Sequence, residues 1–161
     1  MLPCKVETIN FDEMTQMGVV ILSYAEGKRA LPIWVGILEA HSIQMKLQGT
    51  NYPRPLTHDL IKTVVDTTGI KVEYVLINDI SQNTFFAQLH LVQNDKKYVI
   101  DSRPSDAIAI ALRVNAPIYV EEKVVNSSGV DREEFDREQK EKLYKTFLES
   151  LPEDVLGKYK H

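Results

Sequence analysis

The stretch from Ile100 to Val114 constrains this chain more than any other, because a strand has to end and a helix has to start within it. Tyr98, Val99 and Ile100 are β-type residues. Pro104 suits a first helical turn, where its missing N–H costs nothing and its φ is already helical. Ser102 or Arg103 takes the cap position, and Asp106 falls in the first turn, where the helix dipole favours negative charge. From Ala107 to Leu112 every residue is apolar, so the helix is expected to be covered on most sides. Ala107 and Ala111 stand one above the other and let another backbone approach closely. At about 100° per residue, Asp106 and Arg113 share one narrow polar strip. Asn115 offers a left-handed end, and Pro117 prevents the helix from resuming.

A chain of 161 residues can bury a sizeable core, and one domain is the first expectation. No apolar run approaches the ~20 residues of a membrane span, and Met1 to Lys5 leads straight into a strand pattern, with no signal peptide expected. The single Cys4 forms no intramolecular disulfide, which suits a cytoplasmic protein. The net charge of -4 argues against an indiscriminate basic nucleic-acid coat. Residues 1–120 carry 11 Lys and Arg against 12 Asp and Glu, so this part is nearly neutral and has room for a local basic groove.

In chain order, Cys4 to Phe11 alternates as a strand, Met17 to Tyr24 reads as a buried strand, and Ala25 to Lys28 turns into a third, Arg29 to Trp34. Pro32 belongs at an edge or bulge, because it cannot donate to a ladder, and Trp34 is expected in the core. The spacing predicts a helix over 36–48 with Ala40, Ile43 and Leu47 as its main stripe and a polar face of Glu39, Ser42 and Lys46. Leu38 and Met45 form a second stripe. The loop 50–55 leads to a helix from His58 to Thr68 capped by Thr57, with Leu60, Ile61 and Val64 as its core face. Three meander strands follow, Lys71 to Ile80, Thr84 to Val92 and Lys97 to Ile100. Ile118 to Val120 is a short last strand after the opening helix. Asn126 to Gly129 reads as a linker, and Asp131 to Ser150 as a charged helix with a thin stripe of Phe135, Leu143, Phe147 and Leu151. That thin stripe and Leu38/Met45 are surplus apolar surface, so a homodimer is expected.

Zinc, phosphate-loop, nucleophile-elbow and dinucleotide patterns are missing. Carboxylates, histidines and loop arginines remain. Asp101 and Asp106 flank the strand-to-helix turn and could hold Mg²⁺ or Mn²⁺, which prefer oxygen ligands. Arg103 could clamp a phosphate beside the N–H groups of the helix start. The alternative is structural: Asp106 caps the helix and Asp101 pairs with Arg103. Unaided, the sequence favours that alternative, because structural ion pairs mimic sites. Arg54, Thr57, His58 and Asp59 form a second polar cluster at another helix start. His58 there has the right intrinsic pKa for proton transfer, or is simply a surface histidine. Glu39 is either a catalytic carboxylate or a helix-surface residue.

Four segments together resemble the bifunctional nuclease domain family of bacteria and plants. They are Leu31-Pro32-Ile33-Trp34-Val35-Gly36 with Glu39-Ala40; Arg54-Pro55-Leu56-Thr57-His58-Asp59-Leu60; Phe85-Phe86-Ala87; and Asp101-Ser102-Arg103-Pro104-Ser105-Asp106-Ala107-Ile108-Ala109. The resemblance covers residues 4–125. Leu151-Pro152-Glu153-Asp154 and Gly157-Lys158-Tyr159 match the tail of many bacterial members. It implies cleavage of both DNA and RNA; the lack of a long apolar run separately leads to the expectation of no membrane partner.

The expected architecture is α+β: a mixed or mainly antiparallel sheet with packed helices and a C-terminal helical tail. Residues 1–125 form the nuclease-like domain, and 126–161 a linker and helical extension packed on it. The expected site has Glu39, His58, Asp101 and Asp106 as catalytic groups, Asp101, Asp106 and Glu39 sharing a metal, and Arg54, Arg103, Ser102 and Ser105 on the substrate. The competing expectation is a non-catalytic oligomeric regulatory or scaffold module. The two differ in whether Glu39, His58, Asp101 and Asp106 converge.

Overall fold

A computed structural model of the protein describes residues 1–152, so Glu153-Asp154 and Gly157-Lys158-Tyr159 of the tail motif lie outside the described residues. The strands are β1 (Leu2–Asp12), β2 (Met17–Tyr24), β3 (Arg29–Gly36), β4 (Lys71–Ser81), β5 (Thr84–Gln93), β6 (Lys96–Ser102), β7 (Ile118–Val120) and β8 (Val130–Asp131). The helices are α1 (Ile37–Leu47), α2 (Thr57–Thr67), α3 (Pro104–Val114), α4 (Glu122–Ser128) and α5 (Arg132–Ser150). The chain folds as α+β around one eight-stranded sheet of order β6-β5-β4-β7-β1-β2-β3-β8.

Two meanders of local hairpins make most of this sheet. They are joined by β7, which runs antiparallel to Leu2–Cys4 of β1 and parallel to Val75–Ile77 of β4. β1 serves both halves: its first three residues pair with β7, and its remainder, from Lys5 on, with β2 across a bulge between Val6 and Thr8. β2 explains why its sequence is a continuous apolar run. Val20 and Leu22 point into the main core, whereas Val19 and Ile21 pack on the other face against Val130 and Phe135, at the start of α5. Pro32 pairs inward with Ile21, and β8 reaches only Arg29 and Ala30, so no ladder partner needs its missing N–H.

Helix α3 begins with Pro104 in its first turn and ends at Asn115 in the left-handed conformation (φ 55°), as its sequence predicts. Ala107, Ile108, Ala109 and Ala111 are fully buried. It packs against α1, α2, β4 and β5 and so lies at the centre of the helical layer. Helix α1 approaches β2 just as closely: a Cβ built on Gly18 would lie 2.3 Å from Ala40 Cβ.

Some elements differ from expectation for identifiable reasons. Asn126 to Ser128 form the last turn of α4 rather than a linker, because Val124 and Val125 are buried and Gly129 N–H donates to Val125 O at 2.8 Å. Trp34 is 50 % exposed, because strand alternation turns it away from Ile33 and Val35, which take the core. The inward face of α2 is His58, Ile61 and Val65, and Leu60 and Val64 are exposed. That rotation follows from the buried hydrogen bonds of His58. Of the thin α5 stripe, Phe135 packs on the sheet, while Leu143 and Phe147 are exposed. Gly18→Ala is expected to cost ~1–3 kcal/mol through overpacking of β2 against α1. A lower urea midpoint with an unchanged slope is the measurement that checks it.

Candidate functional site

Three helices bring the polar groups together. Pro104 sets Asp106 in the first turn of α3, Glu39 lies in the first turn of α1, and His58 in the first turn of α2. Arg103, the residue capping α3, joins two of them: Nε donates to Asp106 Oδ2 at 2.7 Å, and Nη2 to Glu39 Oε1 at 2.9 Å. Gly36 gives the Glu39 carboxylate its room, since a Cβ there would fall 2.4 Å from Glu39 Oε2.

Behind this pair lies a buried polar chain. His58, 8 % exposed, has Nε2 at 2.9 Å from Asp106 Oδ1 and Nδ1 at 2.8 Å from Ser42 Oγ. Arg113, 4 % exposed, donates to Ser42 Oγ (3.1 Å), Ser42 O (3.3 Å), Ala109 O (3.0 Å) and Asp59 Oδ1 (2.6 Å). The donor inventory then sets the histidine tautomer. Ionised Asp106 only accepts, so Nε2 carries the hydrogen. With the hydrogen of the neutral ring on Nε2, Nδ1 accepts, and Ser42 Oγ, which accepts from Arg113, has its own hydrogen free to donate to it. The result is one continuous path from Glu39 through Arg103, Asp106, His58, Ser42 and Arg113 to Asp59, whose other oxygen accepts the Leu56 N–H at the start of α2.

The electrostatics follow from these contacts. Burial alone would push the Asp106 carboxyl up, but hydrogen bonds from Arg103 and His58 hold it below the usual carboxylate range. Asp59 is depressed likewise: burial opposes, and Arg113 and the Leu56 N–H win. Arg103 is held still more firmly protonated by Asp106 and Glu39. Two carboxylates face one guanidinium at the mouth of the site, which leaves a surplus of negative charge there. Arg103 uses two of its five N–H donors on them, and its side chain is 65 % exposed.

Not every residue expected at the site joins the cluster. Asp101 lies on β6 opposite Gln88, exposed, with no side-chain hydrogen bond or ion pair to another described residue. Arg103 therefore pairs with Asp106 and Glu39, not with Asp101. Arg54 is exposed on the loop before α2, Ser102 Oγ donates to Arg103 O at 3.0 Å, and Ser105 is buried in the α3 turn. Among the described residues, no three His, Cys, Asp or Glu side chains stand in metal-holding geometry, so Asp101, Asp106 and Glu39 are not assembled as a ligand group. Ser42 and Arg113 were not expected as site residues. Their signal is the charge of Arg113 two turns after Asp106 on an apolar helix, since a buried cation demands partners.

The architecture and the motifs can now be set beside known proteins. The bifunctional nuclease domain model matches residues 20–133. The chain is 40% identical over 158 residues to an uncharacterized protein of Mycobacterium tuberculosis, covering 93% of this chain and 94% of that one. It is 30% identical over 126 residues to Bifunctional nuclease 2 of Arabidopsis thaliana, covering 75% of this chain but 38% of that protein. Against Bifunctional nuclease 2 of Oryza sativa subsp. japonica the identity is 29% over 125 residues, 75% of this chain and 38% of the relative. The chain belongs to the bifunctional nuclease domain family.

Two predictions follow from the geometry. Arg113→Met should destabilise by about 3 kcal/mol, because Ser42 and Ala109 lose a buried donor and three helices lose their common tie. Arg113→Lys should recover only part, since one ammonium cannot reach four acceptors; urea unfolding of both variants measures this. The pH dependence has a definite sign. The depressed Asp106 and Asp59 carboxyls contribute stability that is full above the ordinary carboxylate value of 3.8 and is lost as pH falls through it toward their lower folded values. Asp106→Asn should therefore flatten the acid limb of stability between about pH 5 and about pH 2 relative to wild type, read as the urea midpoint against pH.

Proposed function

We propose that this chain is a nuclease hydrolysing phosphodiester bonds in DNA and RNA at the Glu39–Arg103–Asp106–His58 cluster. The single observation that supports it is Arg103, exposed at a helix start and braced by two carboxylates with donors to spare, which is the geometry a phosphate clamp needs. Family membership points the same way: the plant relatives are named bifunctional nucleases. In this reading Arg103 and the exposed Arg54 hold the phosphate. Glu39, whose Oε2 has no hydrogen-bond partner among the described residues, takes a proton from the attacking water. The water oxygen bonds to phosphorus, the P–O bond to the leaving oxygen breaks, and the proton held by Glu39 passes to that oxygen. His58 keeps the Asp106 carboxylate in one orientation, while Ser102 and Ser105 shape the turn.

The cofactor is part of the proposal. Glu39 and Asp106 offer carboxylate oxygens, the donor type that Mg²⁺ or Mn²⁺ prefers, and an ion there would share them with Arg103 and His58. Such an ion would neutralise phosphate charge and lower the pKa of a bound water. The same proposal has the protein act in the cytoplasm and as a homodimer. Its support is the single cysteine and the apolar surface left on Leu38, Leu60 and Val64. Among the described residues no helix is long and apolar enough to cross a membrane.

A second reading rests on a specific observation: the carboxylates are already closed into ion pairs, as a structural network would be. It makes the chain a non-catalytic oligomeric regulatory or scaffold module. Cleavage of single-stranded DNA and RNA by rigorously purified protein, with Mg²⁺, Mn²⁺ or EDTA, separates the two. The nuclease reading expects EDTA-sensitive cleavage and a loss of about a hundredfold or more, near 2.7 kcal/mol of barrier, in Arg103→Ala and in Asp106→Asn. Asp101→Asn measures whether the residue on β6 matters. Absence of cleavage with either metal favours the module.

A further inference from the structure

β6 ends the sheet, with β5 on one side and no described strand on the other. Residues Lys96 to Asp101 are all exposed, including Tyr98 (46%), Val99 (55%) and Ile100 (48%). A long, flat edge with three consecutive apolar β-formers at its middle is what soluble proteins usually blunt with charge, proline or a bulge. The opposite edge is blunted here by the two-residue β8. On β6 the charges flank the apolar centre rather than interrupt it.

The register against β5 says which face each residue occupies. Tyr98 and Ile100 lie opposite Leu91 and Leu89, whose side chains are buried under the helical layer, but that layer stops short of β6. Lys97, Val99 and Asp101 lie on the other face, where Val99 continues a row of Tyr74 and His90, stacked at 4.1 Å.

We propose that β6 is the pairing edge between two copies of this chain, joined antiparallel about a two-fold axis normal to the sheet with Val99 opposite the partner's Val99. This rests on the homodimer reading and places its interface on the exposed sheet edge rather than on the apolar residues of α1 and α2. The axis allows only registers that set like faces together, and charge selects among them. Centred on Val99, Tyr98 meets the partner's Ile100, and Lys97 meets the partner's Asp101, twice by symmetry. Centred on Tyr98, lysines face Val99 and Ile100. Centred on Ile100, Lys97 faces the partner's Arg103, cation against cation. Lys97 is available for the exchange, since its one contact is a long 4.0 Å approach to Glu73. Asp101, left without a partner at the site, gains one here. The two sheets become one of sixteen strands with both helical layers on the same side, and Arg103 of each copy follows directly on the shared seam.

The test is sedimentation of the full-length protein over a concentration series. Lys97→Glu and Asp101→Lys alone should each weaken dimerisation about tenfold, by setting like charges opposite each other at two symmetric positions. The combined exchange K97E/D101K should return toward wild type. Val99→Cys should give a disulfide-linked dimer under mild oxidation, because directly opposite positions stand about 4.5–5.5 Å apart at Cα, within the range of about 4.4–6.8 Å that a disulfide spans, while the native Cys4 is buried with its thiol pushed up to about 12. A dimer indifferent to both single changes overturns this interface and leaves the homodimer reading standing. Failure of the double exchange to recover overturns the Val99-centred register. A protein that stays monomeric overturns both.

Discussion

Arg113 is the interaction on which the rest of the site depends. A guanidinium is costly to bury, and its position is tolerable only because four acceptors from three helices surround it. Those acceptors are Asp59 on α2, Ser42 on α1 and Ala109 on its own helix. Satisfying one cation therefore fixes how three helices meet. Once Ser42 is held by Arg113, its hydroxyl hydrogen is free for Nδ1 of His58, while Asp106 holds the ring hydrogen on Nε2. The geometry at the mouth is thus decided behind it, at an arginine that is itself buried.

The same logic explains why the mouth has its charge. Asp106 is turned by His58 and cannot relax toward solvent, and Glu39 lies over a glycine that leaves it space. Arg103 is drawn to both. An exposed arginine is ordinarily disordered among many rotamers, so fixing it costs entropy. Here two charge-assisted hydrogen bonds have met that cost before any phosphate arrives, which is preorganisation of the kind that favours binding.

Much of the architecture was legible because local signals agreed. Pro104, the apolar run to Leu112 and Asn115 bounded α3 to the residue; alternation placed β1, a continuous apolar run placed β2, and the turns at 81–83 and 93–96 set off β4 and β5. Legibility failed where a buried polar contact outweighed hydrophobic periodicity. Leu60 and Val64 carry the stronger apolar pattern on α2, yet His58 takes the inward face because Ser42 and Asp106 supply partners for it. Ser42 reads as surface for the same reason, since periodicity cannot see a guanidinium 71 residues away in the chain. The i,i+3 spacing of Arg103 and Asp106 is a local signal, but the arrival of Glu39 from 64 residues away and the separation of Asp101 are facts of helix packing and strand register.

The placement of β7 has a consequence for how the chain is made. The strands β1 to β3, and likewise β4 to β6, are each built from neighbours in sequence and can zip up early through short loops. The three residues Ile118 to Val120 that weld them together come last, after the α3 crossover. A chain emerging from the ribosome therefore carries two open half-sheets, with the inner edges of β1 and β4 unsatisfied, until the final quarter of its sequence is synthesised. For that interval the future centre of the molecule is its most adhesive surface, and protecting it falls to speed of synthesis or to a chaperone.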